Sequence, residues 1–141
     1  MNTGITFSSF DLFHSGHVAM LKEARQNCDY LIVGLQTDPT LDRPEKNQPI
    51  QSVFERYVQL EGCKYIDEII PYATEQDLVD ILLTYNINVR FVGEEYKTKE
   101  FTGKQICVDK GIKIHYNSRQ HSFSTSGLRK RISEAKWKNY G

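Results

Sequence analysis

Two histidines three residues apart, His14 and His17, stand in the stretch Phe10-Asp11-Leu12-Phe13-His14-Ser15-Gly16-His17. At the start of a helix that spacing turns both imidazoles toward one side, and Gly16 carries no Cβ to obstruct an approaching phosphate. Such donors suit phosphoryl or nucleotidyl transfer: they stabilise charge that grows as pyrophosphate leaves, and no covalent nucleophile is required. A lone histidine is more often a satisfied surface or core residue, so this reading depends on the other polar segments. Near the end of the chain, Arg119-Gln120-His121-Ser122-Phe123-Ser124-Thr125-Ser126 precedes a helical pattern. Its hydroxyls suit an ordinary N-cap; the other reading is that the amides of that helix start would form a second anion site facing the first. Lys46 and Arg56 add two cations whose default place is the solvated surface. Gly93-Glu94-Glu95-Tyr96 ends a short apolar run with two acids and a ring, which as a bare pattern is equally an exposed turn.

These groups need elements to hold them. Short apolar runs at Ile5–Phe7, Tyr30–Leu35, Ile69–Ile70, Val89–Val92 and Ile112–Tyr116 alternate with helical periods. One helix is expected from about Gly16 to Asn27, another through Phe54, Val58 and Leu60, a third through Leu78, Ile81, Leu82 and Tyr85, and a last one begun by Ser124, Thr125 or Ser126. Five strands alternating with helices imply right-handed crossovers and a parallel sheet. The expectation is one α/β domain over residues 1–141, a Rossmann-like three-layer fold with a five-stranded parallel sheet and helices on both faces. Such sheets bind ligands at the carboxyl ends of their strands. The one long polar connection, Gln36 to Gln51 with Pro39, Pro44 and Pro49, is expected to be a mobile active-site loop.

Taken together, the segments from Thr6 to about Ile132 resemble the cytidylyltransferase family, nucleotidyltransferases with a His-x-Gly-His motif. The resemblance implies that His14, His17, Lys46 and Arg119 are catalytic and that Ser124, Thr125 and Ser126 anchor the nucleotide phosphates. It further implies that the nucleotide borders Phe7, Ser8, Ser9, Phe10 and Gly16, and that Gly93 and Glu94 read the amino edge of the base. Cytosine and adenine both carry an amino group, so Glu94 alone leaves the base open. Asp11, Arg56 and His121 are the candidates for the substrate side, with Asp11 also suited to orienting the motif through backbone N–H groups. The rings of Phe10 and Phe13 are read as packing. Two departures stand out: Ser8-Ser9 replaces the glycine-containing pair usual in the family, and His121-Ser122 replaces a glycine before the hydroxyl turn.

The implied reaction is attack of a small phosphorylated alcohol, such as glycerol 3-phosphate, on the α-phosphate of CTP, with release of pyrophosphate. Mg²⁺ is implied as a cofactor carried mainly by triphosphate oxygens, with no dedicated protein cage. The alternatives are an ATP-dependent adenylyltransferase and a nucleotide-binding module without turnover. A homodimer is implied as well, with contacts near Arg25 to Asn27 and Leu41 to Arg43. With 18 basic and 18 acidic residues, no global field recruits nucleic acid or a membrane surface. No apolar stretch approaches the roughly 20 residues of a spanning helix, and the first residues lack a secretory pattern. Three cysteines, Cys28, Cys63 and Cys107, form no Cys-x-x-Cys pair. A reducing, cytoplasmic setting is the expectation.

Overall fold

The computed structural model describes residues 1–118 and 124–135 of the 141-residue chain. Five strands, β1 (Thr3–Ser8), β2 (Tyr30–Gln36), β3 (Glu68–Tyr72), β4 (Val89–Gly93) and β5 (Lys113–Asn117), pair in parallel in the order β3-β2-β1-β4-β5. The helices are α1 (Ser15–Gln26), α2 (Val53–Glu61), α3 (Glu75–Thr84), α4 (Lys104–Lys110) and α5 (Thr125–Glu134). The order reverses at β1, whose two neighbours are reached by crossovers on opposite faces, and this switch opens a crevice at the strand carboxyl ends. Pro71 lies in β3 at the sheet edge, where a missing ladder donor is tolerated.

The period-2 alternation of the strands divides the core. Leu31, Val33 and Leu35 of β2 and Val89 and Phe91 of β4 pack with Leu21 and Ala24 of α1 and Leu60 of α2. Ile5, Ile32 and Tyr72 face the other way, against Leu78, Ile81 and Leu82 of α3 and Cys107 of α4. Burying each large side chain stabilises the fold by about 1.5–3 kcal/mol. Gly34 pairs with Phe7, and a Cβ at Gly34 would meet Phe7 Cδ1 at 2.4 Å. The Phe7 ring therefore lies flat across β2 in the space a side chain would need.

Each expected strand and helix is present; β1 to β4 run one to three residues beyond their apolar runs, and β5 is displaced by one residue, from Ile112–Tyr116 to Lys113–Asn117. The helix α4 was not expected. It has seven residues between Gly103 and Gly111, both at positive φ, too short to display a helical period. The connection from Gln36 to Gln51, expected to be mobile, is strapped down. Asp38 caps a 3-10 turn at Pro39–Leu41, Asp42 Oδ2 accepts from Glu75 N at 2.5 Å, and Arg43 Nε lies 3.2 Å from Glu75 Oε1. The loop is thereby tied to the first residue of α3. Among the described residues no helix is long and apolar enough to cross a membrane.

Candidate active site

The histidine pair is built into the start of α1. His14 is the N-cap residue, and its Nδ1 accepts from Gly16 N at 2.9 Å; His17 Nδ1 in turn accepts from His14 N at 3.1 Å. Histidines thus fill the positions that Ser and Glu occupy in an ordinary capping box. Because each Nδ1 accepts, each neutral ring carries its proton on Nε2. The rings lie 4.1 Å apart, and Phe13 stacks on His17 at 5.5 Å with the planes 1° apart. Burial first, then the neighbouring His14, pushes the pKa of His17 down to about 4 against the opposing pull of Asp11. At neutral pH His17 is therefore an uncharged donor.

The turn leading into α1 is strained and held from outside. Phe10 and Leu12 adopt φ of 50° and 51°, the left-handed region that costs a non-glycine residue roughly 1–2 kcal/mol. The Phe10 ring is buried, and Leu12 N donates to Gln51 Oε1 at 2.9 Å. Asp11, also buried, accepts from Ile50 N at 2.8 Å, Gln51 N at 3.0 Å and Arg129 at 2.6 Å. One carboxylate therefore joins the histidine turn, the end of the long loop and α5.

Arg56, expected among the substrate-binding groups, does not join the cleft. Its guanidinium is 2% exposed and donates to the carbonyls of Gln51, Ser9, Gln36 and Thr37 at 3.2, 2.8, 2.7 and 2.6 Å. It fastens the ends of β1 and β2 to both ends of the loop, and four of its five N–H groups are used in doing so.

Above these anchors lies a cleft of about 670 Å³, within the ordinary range for a small-molecule site. Phe7, Ser8, Ser9, Phe10, Asp11, His14, Gly16 and His17 line one side, and Lys46, Gly93, Ser124 and Ser126 reach it from other elements. Ser124 caps α5, its Oγ accepting from Gly127 N at 2.9 Å. Thr125 is the first residue of α5, so its backbone amide belongs to the same helix start. At the end of β4 the acid lining the cleft is Glu95, not Glu94, which opens a 3-10 turn over Glu94–Thr98. Arg119 and His121 lie outside the described residues. The sequence reading missed Arg129, although it falls three and four positions after Ser126 and Thr125, on the helix face they share. It also missed Tyr72, Glu75 and Arg90, which line the cleft but belong to no motif.

Among the described residues no three His, Cys, Asp or Glu side chains gather where they could hold a metal ion. Asp11, the carboxylate beside the histidines, already accepts from three donors.

The fold and cleft define an open, parallel α/β domain with a polar crevice at its topological switch point. Residues 5–131 match the cytidylyltransferase-like family, and the chain belongs to that family of nucleotidyltransferase enzymes. It is 29% identical over 133 residues to a glycerol-3-phosphate cytidylyltransferase of Bacillus subtilis, covering 94% of this chain and 98% of that protein. An ethanolamine-phosphate cytidylyltransferase of Dictyostelium discoideum is 39% identical over 90 residues, 61% of this chain and 24% of the relative. The bifunctional protein HldE of Granulibacter bethesdensis is 30% identical over 136 residues, and the match spans 27% of its length. The chain thus corresponds to about a quarter of the two longer relatives and to nearly the whole of the first. A lipopolysaccharide core biosynthesis protein from Thermoplasma volcanium shares the fold, with a TM-score of 0.71 at 22% identity over 86% of this chain and 99% of that one.

Proposed function

We propose that this protein transfers CMP from CTP to a small phosphorylated alcohol, with glycerol 3-phosphate as the reference acceptor, and releases pyrophosphate. Membership of the cytidylyltransferase-like family supports the chemistry, and the full-length match to a glycerol-3-phosphate cytidylyltransferase supports the acceptor class. The observation that carries the reading is the interlocked histidine pair, with both Nδ1 atoms committed to backbone amides at the mouth of a polar cleft.

In this reading an acceptor phosphate oxygen forms a bond to the α-phosphorus of CTP while the bond to the β-phosphate bridging oxygen breaks. The nucleophile is already anionic, so no general base is needed, and catalysis rests on in-line placement and charge stabilisation. His14 and His17 donate from Nε2 to the phosphate oxygens on which charge develops. Lys46 and Arg119 neutralise the polyphosphate, and Ser124, Thr125 and Ser126 hold it at the start of α5. Gly93 and Glu95 border the base, with Glu94 one residue away. Mg²⁺ carried on the triphosphate oxygens would supply charge neutralisation there; the residues present fit a metal held by the nucleotide rather than by the protein, since Asp11 already accepts from three donors. Two copies of the chain associate as a homodimer.

The test is a screen of the purified protein with each nucleoside triphosphate and Mg²⁺ against glycerol 3-phosphate and other small organic phosphates, reading pyrophosphate. Release with CTP and a phosphorylated alcohol is the expected result. Release with ATP alone replaces the cytidylyl reading by an adenylyl one, and nucleotide binding without release with any acceptor replaces it by a binding module.

A further inference from the structure

Arg90 is the unusual charge of the molecule. Alternation along β4 turns it to the α3 and α4 face of the sheet, opposite Val89 and Phe91, in a position that would ordinarily be apolar core. It is 5% exposed, yet among the described residues it forms no ion pair. Its guanidinium carbon lies 5.0 Å from the ring centroids of both Phe7 and Phe101, and one terminal nitrogen donates to the Thr102 carbonyl. Nε has no partner. Gly103, at φ +82°, makes the room: a Cβ there would lie 3.1 Å from an Arg90 terminal nitrogen and 2.6 Å from Leu82 Cδ1. Aromatic faces on two sides compensate part of the lost hydration of a cation, but a buried donor without an acceptor is the kind of group a native structure retains for a reason.

The reason lies in where Arg90 opens. It lines the cleft together with Tyr72, Glu75, Leu78, Phe101 and Thr102, and these residues on the α3 and α4 side of the sheet are taken together as one branch of it. The acids nearby are turned to other cations: Glu75 to Arg43 at 3.2 Å and Glu100 to Lys104 at 3.6 Å. Burial raises the pKa of the Tyr72 phenol, so it remains a neutral hydroxyl. The branch is therefore a half-apolar slot with a cation and a phenol at its wall.

We propose that this branch holds the end of the acceptor remote from its reacting phosphate, and that Arg90 is the specificity-determining residue, donating to an oxygen-bearing group, hydroxyl or carboxylate, and disfavouring an ammonium. The inference rests on the phosphorylated-acceptor reading above and narrows it: phosphorylated polyols and hydroxy acids fit, and amino-alcohol phosphates do not. A site that hydrogen-bonds a substrate oxygen rejects an analogue that leaves its buried donor unpaired.

The test is calorimetric titration of wild type, Arg90→Met and Arg90→Lys with glycerol 3-phosphate, 3-phosphoglycerate and phosphoethanolamine. Each is run with and without cytidine 5′-(α,β-methylene)triphosphate, whose α–β bridge cannot be cleaved. Wild type is expected to bind the two oxygen-tailed compounds more tightly than phosphoethanolamine, and the stronger of the two reports whether a hydroxyl or a carboxylate is read. Arg90→Met is expected to weaken their binding at least about tenfold while leaving phosphoethanolamine and the nucleotide analogue within about twofold. Should Arg90→Met fail to fold, Arg90→Lys decides, because lysine keeps the charge and loses the forked donors; a several-fold loss confined to the oxygen-tailed acceptors is expected. Unchanged acceptor binding, equal weakening of acceptor and nucleotide analogue, preference of wild type for phosphoethanolamine, or no binding of any of the three at millimolar concentrations overturns the proposal. Pyrophosphate release with ATP instead of CTP would overturn the cytidylyl reading and leave the Arg90 result intact.

Discussion

His14 and His17 act as a unit because each ring is fixed by the backbone of the other's turn. Replacing either by alanine is expected to lower kcat about 10²–10³-fold, the usual effect of losing one donor to a developing oxyanion, with a smaller change in CTP affinity. Steady-state kinetics on folded variants checks this, and near wild-type turnover in both would remove the pair from the site. The depressed pKa of His17, about 4 against 6.5 in an unfolded chain, also sets a pH dependence of stability. Between those values the unfolded chain binds the extra proton, so stability falls as pH drops through that window, by up to about 1.4 kcal/mol per pH unit. Urea unfolding at pH 7 and pH 5 measures this, and His17→Gln should flatten the difference. The histidines were legible because their partners are adjacent in sequence. The register of the cleft-lining acid at the end of β4 was not: Glu94 and Glu95 are chemically alike, and the 3-10 turn decides which lines the cleft. Arg90 escaped notice because a cation on a core-facing strand position belongs to no local pattern.

At the level of elements, the long loop and the strained turn stabilise each other through Asp11 and Arg56. Arg56 opened a helix beside a glutamate and read as a substrate group, but only the folded chain reveals the four carbonyls that converge on it. Arg56→Met should therefore act as a structural lesion: about 3 kcal/mol or more of stability lost, since several buried carbonyls lose their donors at once. Thermal unfolding would register this as a fall in Tm on the order of 10 °C. A variant with wild-type Tm and a raised KM would return Arg56 to the substrate. The five strands were readable from short apolar runs, of which those in β1, β2 and β4 are largely buried, and four helices from their periods. The helix α4 was not, because seven residues between two glycines hold barely two turns.

For the whole molecule, the order β3-β2-β1-β4-β5 brings the carboxyl end of β1, the starts of α1 and α5 and the strapped loop to one crevice. Alternating elements imply such a crevice but not which side chains face it, since that depends on contacts between distant segments such as Arg129 and Asp11. The proposed association into a homodimer belongs to this scale. The segment from Leu41 to Arg43 leaves Leu41 63% exposed while Asp42 and Arg43 fasten the loop to α3. A partner packed on Leu41 would steady the loop that carries Lys46 and lower the ordering cost of nucleotide binding. Sedimentation at assay concentration should find a dimer, and Leu41→Glu should shift it toward monomer and raise the KM for CTP; a fully active monomer would contradict the coupling.

Attack of the acceptor on the α-phosphorus is read out by following the label from [α-³²P]CTP in a single turnover with glycerol 3-phosphate. All transferred label is expected in a CDP-linked product and none in pyrophosphate, with His14→Ala slowing its appearance. Label recovered as CMP or CDP without acceptor attached, or a γ-phosphate transferred to the acceptor, would contradict it.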